Sequence, residues 1–461
     1  MTQLGDLDLG AHLHPDPLQW LRSRQDEDRR LIIVVDDDPT GTQTTAGASI
    51  VTSTDADDIE WLVQQQTDLN FVLTNSRAMN VTNARDVNRQ IGRLAADAAA
   101  RHRRPLDLVS RCDSTLRGHF PTEPVALAEG ANRPNAVIVF VPFFFEAGRI
   151  TVDGVHYVVD AGRLIPVADT AFARDAAFGY NTSELTRWVS EKFHNAVQPD
   201  DVVRCTLRTI RVGGPSGVAD VLQGCPDGSV VVVDSADYRD ARVVIAGLRR
   251  AQASSDRYVL RTAASALPGL AGLEPAAPVL PPRAANNHGG LVVVGSHVPL
   301  TTRQLDKLTA TRRTTHLEID AAELVQGAST AASTVAERAV KLIAQGRSVT
   351  VSTSRTRLDG RDPVATASLV ADGVCRSVDS IVDRIRPSYV VTKGGITSHR
   401  LATEVLGIRR GRVHGPIVPG VPVWVSDVGA RWPGLTTVVF PGNVGGDDTL
   451  AEVVQLLEER R

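Results

Sequence analysis

The sequence predicts an α/β protein of two domains, each with a mostly parallel sheet flanked by helices. Three observations point there: short apolar runs alternate with amphipathic segments, a proline-rich stretch interrupts the alternation, and several apolar runs end in polar or glycine-bearing turns. Short apolar runs bounded by turn residues read as buried strands, and strands separated by helix-length segments imply βαβ units. The expected strands are Leu31–Val35, Phe71–Thr74, Asp107–Ser110, Ala136–Val141, Ser229–Val233, Leu291–Val294, Ser348–Ser352, Tyr389–Thr392 and Thr436–Phe440. Helical periodicity falls on Asn83–Arg101, Ala241–Ala253, Ser329–Ala344 and Ser377–Ile385.

The interruption is Ala266–Gly290, which carries Pro268, Pro275, Pro278, Pro281 and Pro282 without helical or strand periodicity. Such a segment reads as a semi-rigid linker. It divides the chain into a first domain over 1–270, a linker over 271–290 and a second domain over 291–461, both of ordinary domain size. Two α/β domains joined this way are expected to hold a site in the cleft between them.

Composition narrows the partners. The 461 residues are 42% hydrophobic and 22% charged, with a formal charge of −3 and no long basic run. That argues against nucleic acid or an anionic membrane surface as a partner and leaves small molecules, with a homodimer open. The longest apolar run, Ala136–Phe145, contains a proline and is too short to span a bilayer. The acidic N-terminus lacks the apolar core of a signal peptide, and Cys112, Cys205, Cys225 and Cys375 are scattered, so a cytoplasmic protein with reduced thiols is expected. His156, His297, His399 and His414 show no metal-ligand spacing and read as ordinary polar residues.

The first candidate site is Leu31–Gly47, where an apolar run ends in Asp36, Asp37 and Asp38 and then a Pro-Thr-Gly-Thr turn. Ligands of open α/β sheets bind past the carboxyl ends of strands, and three carboxylates there are costly unless they face a cleft, a cation or hydroxyl donors. The plain alternative is a solvated turn with an Asp helix cap. The second candidate, Ser110–Glu123, gathers Arg111, Asp113, Ser114, Thr115 and Arg117. Ser114 and Thr115 are expected to open a helix whose N–H groups bind an anion, and Arg117 suits a two-pronged grip on a carboxylate. A third stretch, Pro142–Tyr157, reads as a hairpin turning at its glycines.

Downstream of the linker, three glycine-bearing turns follow expected strands: Gly295-Ser296-His297, Lys393-Gly394-Gly395-Ile396-Thr397-Ser398, and Gly442-Asn443-Val444-Gly445-Gly446-Asp447-Asp448. Glycine there lets backbone approach a phosphate, so together they suggest a nucleotide site. No GxxxxGK[ST] loop, no GxGxxG fingerprint and no protein-kinase signature set occurs. Only Lys192, Lys307, Lys341 and Lys393 are lysines, so any phosphate-holding lysine is one of these.

Taken in order, these motifs resemble the four-carbon acid sugar kinase family over about Leu31 to Leu457. Asp37-Asp38-Pro39-Thr40-Gly41 is similar to the family's DD-x-TG, Asp113 to Gly118 reads DSTLRG with Glu123 in step, and Asn75-Ser76-Arg77, Gly148-Arg149-Ile150-Thr151, Phe172-Ala173-Arg174-Asp175 and Asp234-Ser235 also fit. Gly295-Ser296 with Thr301 and Gln304, Gly394-Gly395 with Thr397-Ser398, and Gly442 to Gly445 complete the series. Departures are Thr44 and Ile396 where acidic residues are usual, Val298 for a serine and His119 for an asparagine.

The resemblance implies an ATP-dependent kinase, with Mg²⁺, that phosphorylates a hydroxyl of a small sugar acid such as threonate, erythronate or an oxo-tetronate. Asp37 or Asp38 would orient the hydroxyl and accept its proton, and Asn75, Arg77, Asp113, Ser114, Thr115, Arg117 and Arg149 would bind the acid. Ser296, Gly394, Gly395, Thr397, Gly442, Asn443 and Gly445 would hold ATP, and no metal ligand is assigned. The competing readings are a non-catalytic sensor of the same acid, or an isomerase, epimerase or dehydrogenase using the acidic site.

Overall fold

The computed structural model describes residues 9–326, 329–355 and 363–461. The reading of the extreme N-terminus falls in part on residues 1–8, outside the described residues. The chain divides into two compact units, Met1–Ala276 and Ala277–Arg461.

The main sheet of the first unit is all parallel. Its strands are β1 (Leu31–Asp36), β2 (Ser49–Val51), β3 (Leu69–Leu73), β4 (Leu106–Arg111), β5 (Val137–Val141), β9 (Val203–Cys205), β10 (Val230–Val233) and β11 (Tyr258–Thr262). Their order is β2-β3-β1-β4-β11-β5-β10-β9. A separate antiparallel sheet holds β6 (Arg149–Val152), β7 (Val155–Asp160) and β8 (Arg163–Pro166), so the expected hairpin forms and gains a third strand.

Both faces of the parallel sheet are covered, which is why β1 and β5 read as continuous apolar runs. Leu31, Ile33 and Val35 pack with Ile59 and Leu62 of the helix Ala56–Gln64 and Ile91 and Ala95 of the helix Val81–His102. On another core, Phe120, Phe140 and Trp188 form an aromatic stack. The Val81–His102 helix begins where the Asn80 side chain accepts the N–H of Asn83 at 2.9 Å, and it carries Arg101 and His102 in its last turn, where the helix dipole favours cations.

The second unit has the strands β12 (Leu291–Val294), β13 (Thr315–Ile319), β14 (Val349–Thr353), β15 (Tyr389–Lys393), β16 (Arg410–Val418), β17 (Val421–Ser426) and β18 (Thr436–Phe440), in the order β13-β14-β12-β15-β18-β17-β16. The first five in that order are parallel, while β17 runs antiparallel to both β18 and β16. Gly411, Gly415 and Pro416 break the apolar pattern of β16, which hid this hairpin in the sequence.

Two expectations about local structure need correction. Leu267–Leu270 is a short buried helix with a proline in its first turn rather than part of a linker; proline is tolerated there because that N–H has no helical partner. The helix expected at Ser377–Ile385 spans Pro363–Val382, its start hidden by small residues such as Ala365, Ala367 and Ser368.

Candidate active site

Five adjacent strands of the first unit, β3-β1-β4-β11-β5, end at one edge of the sheet, and each delivers part of a charged cluster. At the end of β1 the chain leaves the sheet after Asp36, and the turn swings both following carboxylates onto one guanidinium. Arg77, just past β3, donates Nη2 to Asp37 Oδ1 at 2.6 Å, Nε to Asp37 Oδ2 at 3.1 Å and Nη1 to Asp38 Oδ2 at 3.1 Å. The two acids differ in access: the Asp37 side chain is 1% exposed and that of Asp38 is 19% exposed. Burial pushes Asp38 up, but Arg77, Arg111 and two hydrogen bonds from Thr40 outweigh it and hold the carboxyl below its ordinary value.

Beneath this pair lies a layer the sequence reading did not assign. Asp36 is fully buried, and its Oδ1 accepts Arg111 Nη1 at 3.3 Å and the N–H of Asp38 at 3.1 Å. Burial raises the Asp36 carboxyl to about 7, with Arg111 pulling the other way. Deeper still, Arg261 of β11 donates to Glu123 Oε2 and to Ser110 Oγ, both at 2.7 Å, while Ser76 Oγ donates to Glu123 Oε1 at 2.5 Å. Arg261 was missed because β11 was not anticipated; an arginine inside Tyr-Val-Leu-Arg-Thr was the available signal.

The Asp113–Gly118 segment is a turn and not a helix start; the next helix begins at Thr122. The helix N-terminus expected at Ser114 and Thr115 is therefore not formed. Positive φ at Leu116 (67°) and Gly118 (120°) breaks any helical run. Instead Asp113 organises the turn, accepting from Thr115 Oγ1 and from Arg117 Nε at 2.9 Å, with Arg77 3.9 Å away. A Cβ on Gly118 would lie 2.9 Å from Asp37 Oδ2 and 3.0 Å from Arg261 Nη2, so only glycine lets this turn close over the acids. His156 props the turn from below: its Nε2–H donates to the Ser114 carbonyl at 2.8 Å and its Nδ1 accepts from Thr151 Oγ1 at 2.9 Å. Burial drives His156 down to about 4, consistent with that neutral tautomer.

Arg117 and Arg149 both lie over the Phe172 ring, at 5.1 and 5.9 Å from its centroid. Arg117 is paired, with Asp113 and with Asp175 at 3.5 Å. Arg149 differs: its Nη1 donates to the Ala147 carbonyl, but among the described residues no carboxylate lies at ion-pair distance, its buried Nε makes no hydrogen bond, and burial presses its pKa down against the more distant pull of Asp113. Asn75, with a left-handed backbone (φ 53°), stands next to Arg77. The structure thus brings Asp37, Asp38, Asn75, Arg77, Asp113, Ser114, Thr115, Arg117 and Arg149 to one end of one sheet. Cys112, beside them, is raised by burial to about 12 and offers no thiolate at neutral pH.

In the second unit the adjacent strands β12, β15 and β18 end in the three glycine turns. Thr301 Oγ1 donates to the Gly442 carbonyl at 3.0 Å and lies 3.3 Å from Ser296 Oγ, while Gln304 Nε2 donates to the carbonyls of Val444 (3.1 Å) and Gly446 (2.8 Å). Gly394 has φ 119°, and a Cβ there would sit 3.0 Å from that of Ser296. Thr397 packs against Gly295, and Asn443 is exposed in the third turn. Ser296, Gly394, Gly395, Thr397, Gly442, Asn443 and Gly445 therefore share one strand-end edge, where backbone groups suit a phosphate-bearing ligand.

Comparison with known proteins matches a domain family to each unit. Residues 32–270 match the sugar-binding N-terminal domain family, and residues 291–450 match the nucleotide-binding C-terminal domain family. The chain belongs to the four-carbon acid sugar kinase family, and so to the phosphotransferases that take an alcohol group as acceptor. A D-threonate kinase of Salmonella typhimurium LT2 is 28% identical over 378 residues, which are 77% of this chain and 82% of that protein. Two solved structures share the fold. A Haemophilus influenzae protein has a TM-score of 0.64 at 15% identity, covering 92% of this chain and 99% of its own. A Salmonella typhimurium LT2 protein has a TM-score of 0.67 at 16% identity, covering 92% and 98%.

Proposed function

We propose that this chain transfers the γ-phosphoryl group of ATP to a hydroxyl of a four-carbon sugar acid of the threonate type. The observation that carries the reading is that the same sheet end holds an ionised, partly exposed Asp38 and a guanidinium, Arg149, with no carboxylate at ion-pair distance among the described residues. A sugar acid supplies the two complements, a hydroxyl for Asp38 and a carboxylate for Arg149. The D-threonate kinase relative supports the four-carbon length.

Phosphoryl transfer asks for alignment and charge compensation more than for covalent chemistry. Asp38 accepts the hydroxyl proton as the substrate oxygen bonds to the γ-phosphorus and the bond to the β–γ bridging oxygen breaks, leaving ADP. Arg77, clamped by Asp37, keeps Asp38 oriented. Arg149 takes the substrate carboxylate, with Arg117 and Asn75 beside it. The turns of the second unit, with Ser296, Gly394, Gly395, Thr397, Gly442, Asn443 and Gly445, would bind the polyphosphate. Mg²⁺ would neutralise phosphate charge, and its ligands would be phosphate oxygens and water. The one metal-type grouping among the described residues, His12 with Asp237 and Asp240, is filled by Arg211, which donates to both acids.

The test is ADP release from MgATP with D-threonate, L-threonate, erythronate and their oxo forms. One acid should turn over, and Asp38→Asn should lower kcat by about 10²–10⁴-fold while ATP still protects the protein thermally. Full activity of Asp38→Asn, or silence across the panel, would refute the reading.

A further inference from the structure

Lys393 is the last residue of β15, immediately before the Gly394-Gly395 turn, and its side chain is fully buried. Its ammonium donates to the Pro441 carbonyl at 2.5 Å and lies 3.8 Å from the centroid of the Phe440 ring. Both partners belong to the segment that leads into the Gly442–Gly445 turn. Its own carbonyl accepts the N–H groups of Gly295 (3.1 Å) and Ser296 (3.2 Å), so one residue touches all three glycine turns. Among the described residues it has no carboxylate partner. A buried lysine is normally paired, because desolvating an ammonium without a counter-charge is costly.

We propose that Lys393 is the buried cation of the nucleotide site, completed electrostatically by the polyphosphate, so that nucleotide binding draws a proton from solvent onto its amine. The inference rests on the nucleotide reading of this edge. Burial alone lowers the Lys393 amine to about 7, with no charged neighbour contributing. Among the described residues, the amine meets the Pro441 carbonyl and the Phe440 face; Arg355 of the β14 end is turned to the Ser296 carbonyl and Thr302. Above neutral pH the amine of the free protein is largely uncharged. An anionic polyphosphate at the turns raises it again, and binding and protonation then favour each other. A merely structural lysine would hold the Pro441 carbonyl without this coupling.

The experiment is calorimetric titration of the full chain with MgATP, without sugar acid, in HEPES and in Tris at pH 8 and in MES and in Bis-Tris at pH 6. The apparent enthalpy should depend on the buffer at pH 8, reporting uptake approaching about one proton per nucleotide, and lose that dependence at pH 6. Lys393→Met keeps the apolar stem; it should abolish the buffer dependence at pH 8 and weaken binding at pH 6 by about tenfold. Lys393→Arg, permanently charged, should bind without uptake at either pH. Binding by the wild type with no buffer dependence at pH 8, or the same dependence in Lys393→Met, would overturn the role of Lys393 alone. Absence of any binding heat would overturn the nucleotide reading and this inference with it.

Discussion

Arg77 holds Asp37 and Asp38 together, and removing it gives a prediction whose size follows from the structure. Arg77→Met keeps most of the stem and deletes three charge-assisted hydrogen bonds, at 2.6, 3.1 and 3.1 Å. Asp37, almost without solvent, would keep Arg111, 3.7 Å from its Oδ1, and the charge of Arg261 beneath it. Breaking a buried pair by removing one partner costs about 3–5 kcal/mol, and the remaining Arg111 places the expected loss near the lower end, about 3 kcal/mol at pH 7. The sign with pH is fixed by the carboxylates. In the wild type the Asp38 carboxyl sits below its ordinary value, so its contribution is present at neutral pH and lost only as pH falls through that low value. Without Arg77, burial weighs more heavily on Asp38, which then binds a proton more readily in the folded state, so the gap between variant and wild type narrows as pH falls toward 4. Urea unfolding at pH 4, 5.5 and 7 measures this, and the acid limb of kcat/KM should move upward in parallel. Arg77→Lys, with charge but no fork, should recover only part of the loss. A loss below about 1 kcal/mol, or a gap constant with pH, would refute the argument.

His156 is held neutral, at about 4 against an ordinary 6.5, so its contribution is present above 6.5 and lost as pH falls from there to 4. It amounts to about 3 kcal/mol at most, and urea unfolding should show the acid-induced loss shrink in His156→Gln. Asp36 has the opposite sign: its raised carboxyl keeps its proton to about 7, so the group costs stability as pH rises from about 4 to 7. Asp36→Asn should accordingly gain stability relative to the wild type between pH 5 and pH 8, on the order of 2 kcal/mol, read by the same unfolding assay. Gly394→Ala forces a Cβ at φ 119° against Ser296, and MgATP affinity by calorimetry should fall by about tenfold with sugar-acid binding unchanged. An unaltered Kd would disconnect that turn from the nucleotide.

Much of the architecture was legible because buried parallel strands carry a local signature. Leu291–Val294 and Thr436–Phe440 match the expected spans, and β1, β4, β5 and β15 differ by one or two residues. Several of the strands that escaped notice lack that signature: β2 and β9 are three residues long, β13 alternates at an edge, and β16 is broken by glycine and proline. The Ser114–Thr115 expectation failed for a related reason. Ser and Thr before Arg-Gly favour a cap locally, but the left-handed Leu116 and the pull of Arg77, Arg117 and His156 make the segment a turn.

By itself the sequence determined the strand-and-helix alternation, the strand ends at which polar chemistry collects, and the motif order that marks the family. These are local properties, set by which side chains a strand or a turn tolerates. Tertiary structure decided which charges face each other: that Asp37 and Asp38 share Arg77, that Asp36 lies beneath them with Arg111, and that, among the described residues, Arg149 and the buried Lys393 have no carboxylate at ion-pair distance. Ion pairing and desolvation depend on distances across adjacent strands, between residues up to about a hundred and fifty positions apart such as Ser110 and Arg261, and no local pattern encodes those distances.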